Sequence, residues 1–93
     1  MIIGLRTVEI FIPQSQSLKE KRMVLRRIKD KVKSNLNVSY AEVDHHDKWQ
    51  RTSLSFVTVA NKRSHVDKRM DQVMEIILTD DRIQLLNVES DYL

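Results

Sequence analysis

Cysteine is absent from the chain, and glycine and proline occur once each, as Gly4 and Pro13. Without thiols there can be no disulfide, no thiolate metal site and no cysteine nucleophile. A single glycine excludes phosphate-binding loops of the Gly-rich kinds, which need several glycines for close backbone approach. Long apolar runs are also missing: no segment reaches the ~20 residues needed to span a bilayer. The opening segment, MIIGLRTVEIFI, carries Arg6 and Glu9 and lacks a small-residue cleavage site, so no signal peptide is expected and a cytoplasmic location is. Aromatic residues number only five, and LSFVTVAN does not match the pattern that places aromatics on the central strands of sequence-reading RNA domains.

What is present is a charged, globular composition, 41% hydrophobic and 31% charged, over 93 residues. That length builds one domain, 1–93, because chains this short rarely form two cores.

Residues 2–12 alternate as a strand, with Gly4, Arg6, Val8, Ile10 and Ile12 on one face and Ile3, Leu5, Thr7, Glu9 and Phe11 on the other. Pro13 ends it by removing a ladder donor. SLKE then forms a capping box, in which the Ser17 hydroxyl accepts from the Glu20 amide and the Glu20 carboxylate reaches back to Ser17. Leu18, Leu25, Ile28, Val32 and Leu36 recur at helical spacing, which predicts one amphipathic helix over 18–36. Strands are predicted at 37–44, 51–61 and 82–93, and a second helix starts at a box-like Ser64 to Asp67, with Val66, Met70, Val73 and Ile77 inward. The order β-α-β-β-α-β with right-handed crossovers predicts a ferredoxin-like fold: a four-stranded antiparallel sheet with both helices on one face. The other face would then present Leu5, Phe11, Val57 and Val59 to water, which makes a dimer packed through the sheet one expectation and scattered surface apolars the other.

Charge is concentrated in one element. The chain as a whole is at +3. Residues 18–36 hold eight bases (Lys19, Lys21, Arg22, Arg26, Arg27, Lys29, Lys31 and Lys33) against Glu20 and Asp30 alone, a local +6 that leaves the remainder at −3. Lys19, Arg22, Arg26, Lys29 and Lys33 recur at intervals of three and four, which lines five cations along one stripe. Like charges so placed repel by roughly 0.2–0.5 kcal/mol per pair, and a polyanion relieves that. These five, with Lys21, are the expected RNA-contacting residues. The alternative is a solvated face whose bases pair with acids elsewhere in the fold, or meet an acidic protein.

The segment DHHDKWQR, Asp44 to Arg51, fits a hairpin loop. His45 and His46, flanked by Asp44 and Asp47, are of ligand type. Neighbouring side chains in extended backbone point apart, however, so a turn is expected here and no metal. Trp49, with Gln50 and Arg51, is expected either to anchor the loop against the sheet end or to meet a partner, base stacking included. No nucleophile, base and electrophile converge anywhere in the sequence, so no catalytic residue and no cofactor are expected and the protein reads as a non-enzymatic binding domain.

SLKEKR at 17–22, AEV at 41–43 and WQR at 49–51, in this order and spacing, resemble the YlxP-like family of small bacterial proteins over nearly the whole chain. The resemblance implies a ferredoxin-like fold. It also implies a role near RNA or the ribosome, because some members are encoded beside translation-initiation and ribosome-maturation factors. It marks Lys19, Lys21, Arg22, Trp49, Gln50 and Arg51 as motif positions without assigning them a chemistry. The chain departs from the family pattern in having Gln14 and Ser15 where a glycine follows Pro13, and in its His45–His46 pair.

Overall fold

β1 (Ile2–Phe11) is the strand around which the rest is arranged, in a computed structural model that describes residues 1–93. α1 (Leu18–Asn35), β2 (Ser39–Asp44), β3 (Arg51–Ala60), α2 (Arg63–Leu78) and β4 (Gln84–Tyr92) follow. The sheet order is β2-β3-β1-β4, antiparallel throughout, which is the ferredoxin-like topology the element order predicts. No helix is long and apolar enough to cross a membrane.

Strand alternation sorts the two faces as the sequence indicates. Gly4, Val8, Ile10 and Ile12 are buried under the helices, whereas Ile3, Leu5, Thr7, Glu9 and Phe11 lie on the open face. Leu54 and Phe56 of β3 join the covered side, and α1 adds Val24, Leu25, Ile28 and Val32. Val66, Met70, Val73 and Ile77 of α2 complete most of the single core cluster of 14 buried residues. Burying a side chain of this size contributes roughly 1.5–3 kcal/mol. Gly4 has a specific reason to lack a side chain: a Cβ there would lie 2.2 Å from Val66 Cγ1, so only glycine lets α2 sit this close to β1.

The open face is not a continuous apolar surface. Val57 and Val59 are exposed on it, but Thr7 and Ser55 pair their hydroxyls at 2.8 Å, and Arg51 forms an ion pair with Glu9 in the same layer.

Several boundaries shift by one or two residues from expectation, β4 among them, which starts at Gln84 rather than at 82. α2 begins at Arg63 with Lys62 as its N-cap, and no side chain caps it. Tertiary contacts set this start. Arg63 stacks 3.9 Å over the Tyr92 ring, Val66 docks at Gly4, and Asp67 accepts from the Tyr92 hydroxyl, which directs its carboxylate toward β4 rather than back to Ser64. β2 begins at Ser39, after Val38 is buried and Asn37 has given its carbonyl to the Thr58 hydroxyl. The turn into β4 is closed by Arg82, whose hydrogen bond to Asp80, outweighing the cost of burial, holds that carboxyl below its ordinary pKa.

Candidate functional site

α1 starts as its sequence predicts, with the Glu20 amide donating to Ser17 Oγ at 3.1 Å. The Glu20 carboxylate accepts from the Gln16 amide rather than from Ser17, which ties down one residue more of the incoming chain. From this start Lys19, Arg22, Arg26, Lys29 and Lys33 all face solvent, with Arg27 and Lys31 beside them. None of these seven bases forms a salt bridge: the protein has six, and Lys21 is the only base of α1 in any of them. The stripe is therefore an unneutralised row of cations, about 21 Å from Lys19 to Lys33 at 1.5 Å per residue.

Lys21 does not belong to that surface, contrary to its expected place among the contacting bases. It is only 1% exposed, at a position that continues the apolar seam of Val24, Leu25, Ile28 and Val32. Its ammonium donates to the carbonyls of His45 at 2.8 Å, Arg51 at 3.3 Å and His46 at 3.4 Å, and pairs with Glu42 Oε2 at 3.1 Å. Thr52 donates to the same Glu42 oxygen. A buried cation needs this density of acceptors to offset its desolvation. Lys21 thus holds the β2–β3 loop to the helix rather than meeting a partner.

The loop it holds is built from the WQR motif. His45 takes the left-handed conformation, φ 61°, and its carbonyl accepts from the Lys48 amide as well as from Lys21. Gln50 donates to the Pro13 carbonyl at 2.9 Å and accepts from the Ile12 amide at 2.7 Å, so β1's end and the loop are tied twice. Arg51 engages Glu9 through Nε at 3.0 Å and through Nη2. The histidine rings have different partners: His45 Nε2 faces Asp44 at 3.7 Å and Glu9 at 4.0 Å, whereas His46 Nε2 faces the Glu42 carbonyl at 3.0 Å. No group of three or more His, Asp or Glu side chains is placed to share an ion.

Trp49 is the departure in this loop. Expected either to anchor the loop against the sheet end or to meet a partner, it does not do the first: it is 57% exposed, and Gln50 and Lys21 do the anchoring. Its ring borders an open cleft of about 890 Å³ whose lining also includes Phe11, Leu86, Gln16, Lys48 and Arg51. Leu86 reaches this place through a β-bulge. The β1–β4 register shifts between Glu9, opposite Asn87, and Ile10, opposite Leu85, which leaves Leu86 as the extra residue. A second shift, between Glu42 and Asp44, lies at the same end of the sheet, opposite Leu54 and Ser53. Sequence reading finds Trp49, Gln50 and Arg51 but not Phe11, Leu86 or Lys48 as their neighbours. Bulges leave no periodic signal.

Fold and site together define a small ferredoxin-like domain with one basic helix and a braced loop at that helix's N-terminal end. The chain belongs to the family described as protein of unknown function (DUF503), whose model matches residues 3–90. It is 40% identical over 76 residues to the uncharacterized protein YlxP of Bacillus subtilis (strain 168), covering 82% of this chain and 83% of that one. Among solved structures it is similar to a de novo designed protein with ferredoxin fold, at TM-score 0.61 and 12% identity, over 100% of this chain and 84% of the other. Another de novo design, Foldit4, matches at TM-score 0.52 and 13% identity, over 100% and 97%. At such identities these designs establish the fold alone.

Proposed function

We propose that this protein is a cytoplasmic, non-enzymatic binding domain that holds structured RNA, ribosomal RNA in particular, against the outward face of α1. The observation that carries this reading is the stripe of Lys19, Arg22, Arg26, Lys29 and Lys33, exposed and without a single carboxylate at salt-bridge distance. Five like charges on one helix face oppose one another, and the rest of the fold supplies no acid to relieve them. Phosphates would do so, with release of condensed counterions. Recognition by this route reads shape and charge, in keeping with a sheet that displays no aromatic ladder. Recovery of the tagged protein from cells tests the proposal. Ribosomal RNA or ribosomal subunits among the co-purifying molecules support it, and an acidic protein recovered with no RNA overturns it.

A second reading has one observation in its favour: Val57 and Val59 are exposed on a sheet face that no helix covers. It makes the protein a homodimer through that face, with the basic helices turned outward toward an acidic protein.

A further inference from the structure

Trp49 combines features that a loop anchor would not show. It is the only tryptophan of the chain, it is mostly exposed, and the backbone that carries it is fixed on both sides. Lys21 binds the carbonyls of His45, His46 and Arg51, and Gln50 is bonded to Pro13 and Ile12. A large ring presented rigidly at the surface loses little conformational entropy when something stacks on it.

We propose that the cleft beside Trp49 takes an unpaired nucleobase, which makes the preferred ligand a structured RNA with single-stranded nucleotides next to a helix. This rests on the RNA reading above and extends it from α1 to the loop. Phe11 and Leu86 give the cleft an apolar wall suited to a flat ring, and the bulge in β4 is what brings Leu86 there. The rim is polar. Arg51 is held by Glu9 through Nε and Nη2, leaving Nη1 without a protein partner, and Lys48 adds a second cation. Asp47 also lines the cleft, and its carboxylate repels a phosphate while it can accept from the amino group of a base. The occupant of the cleft itself is therefore a base, with its phosphates toward Arg51 and Lys48. The cleft lies by the segment that leads into α1, since Ser15 and Gln16 line it and Ser17 caps that helix. An RNA strand lying along α1 reaches Trp49 at the helix N-terminus. A protein partner would have to satisfy the same mixed rim and also the unneutralised stripe, which a polyanion does with one repeating group.

Because the chain has one tryptophan, its emission reports on this cleft directly. The probes are an RNA hairpin with a short unpaired 3′ extension and the same hairpin with a blunt end. The expected result is saturable quenching of Trp49 emission by the extended hairpin. Trp49→Ala should bind the extended hairpin about 5- to 150-fold more weakly, the range for losing one stacked base. The same variant should bind the blunt hairpin as the natural protein does, and Trp49→Phe should recover part of the loss. Unchanged emission at saturation, with equal affinities for Trp49→Ala and the natural protein, overturns base stacking and leaves the helix reading standing. Failure of the natural protein to bind either hairpin overturns both. Trp49 is mostly exposed, so the variant is expected to fold, and the emission measurement needs no variant at all.

Discussion

The ammonium of Lys21 lies 2.8 Å from the carbonyl oxygen of His45, twenty-four residues away in the β2–β3 loop. This one contact joins SLKEKR to the loop that carries WQR, so two motifs separated in sequence form a single brace at one end of the sheet. A lysine on the buried seam of an amphipathic helix is costly unless its charge is fully matched. Here three carbonyls and Glu42 match it.

Replacing Lys21 by methionine keeps the seam filled and removes the charge. Breaking a buried ion pair from one side typically costs about 3–5 kcal/mol. The Glu42 side chain retains 21% of its surface in water, so a loss of about 2–3 kcal/mol is expected here, read from the midpoint of urea unfolding. The Lys21→Met/Glu42→Gln double variant should recover part of that loss, because no unpaired carboxylate remains. Arginine at 21 should not rescue, since the site is only 1% exposed and built for a compact ammonium.

Gly4→Ala should be as damaging as a core truncation, although it adds only a methyl group. The new Cβ meets Val66 Cγ1, a buried atom on the first turns of α2. Overpacking of this kind costs about 1–3 kcal/mol, seen as a lowered thermal midpoint. Gly4→Ala combined with Val66→Ala should be less destabilised than the sum of the two single variants.

Alkaline unfolding should be governed in part by Tyr40. Burial, with the charge of Glu42 second, pushes its hydroxyl up from 10.0 to about 12. The folded state therefore holds this proton more tightly than the unfolded chain. Its contribution is fully present below pH ~10, where the unfolded group begins to ionise, and is lost as pH rises toward the folded value of about 12. Urea midpoints measured across this window should fall for the natural protein and fall less for Tyr40→Phe, which keeps the ring tilted against Phe56 at 5.4 Å.

The architecture was legible because period-2 and period-3.6 patterns in this chain are clean, and the alternation of β1 and the seam of α1 both match the burial observed. Lys21 was legible in principle, since it stands four residues before Leu25 and seven before Ile28, on the apolar seam. Counting it with the surface bases followed its charge rather than its phase. The exposure of Trp49 was not legible, because whether a tryptophan is buried depends on what the fold leaves beside it, and Gln50 and Lys21 had already fixed the loop. The start of α2 was misplaced for a similar reason: Tyr92, far away in sequence, claims Asp67 and stacks on Arg63.

If the open face pairs two copies, sedimentation at micromolar concentration should show a species of twice 11.0 kDa, and Val57→Lys/Val59→Lys should return it to monomer. A monomer for the natural protein would mean that the Thr7–Ser55 and Glu9–Arg51 pairs make this face polar enough to stay in water.

The claim that the α1 stripe binds RNA through phosphates is tested most directly by the salt dependence of RNA affinity for the natural protein and for Arg22→Gln/Arg26→Gln. Log K should fall linearly with log salt, with a slope of roughly 0.7–0.9 per phosphate neutralised. Neither arginine has an internal partner and glutamine is nearly as good a helix former, so the variant should unfold at the same midpoint as the natural protein. It should bind more weakly and lose about 1.4–1.8 from the slope, with sequence preference unchanged. No binding of ribosomal subunits or RNA by the natural protein at low salt, or a slope identical in the two proteins, would contradict the account.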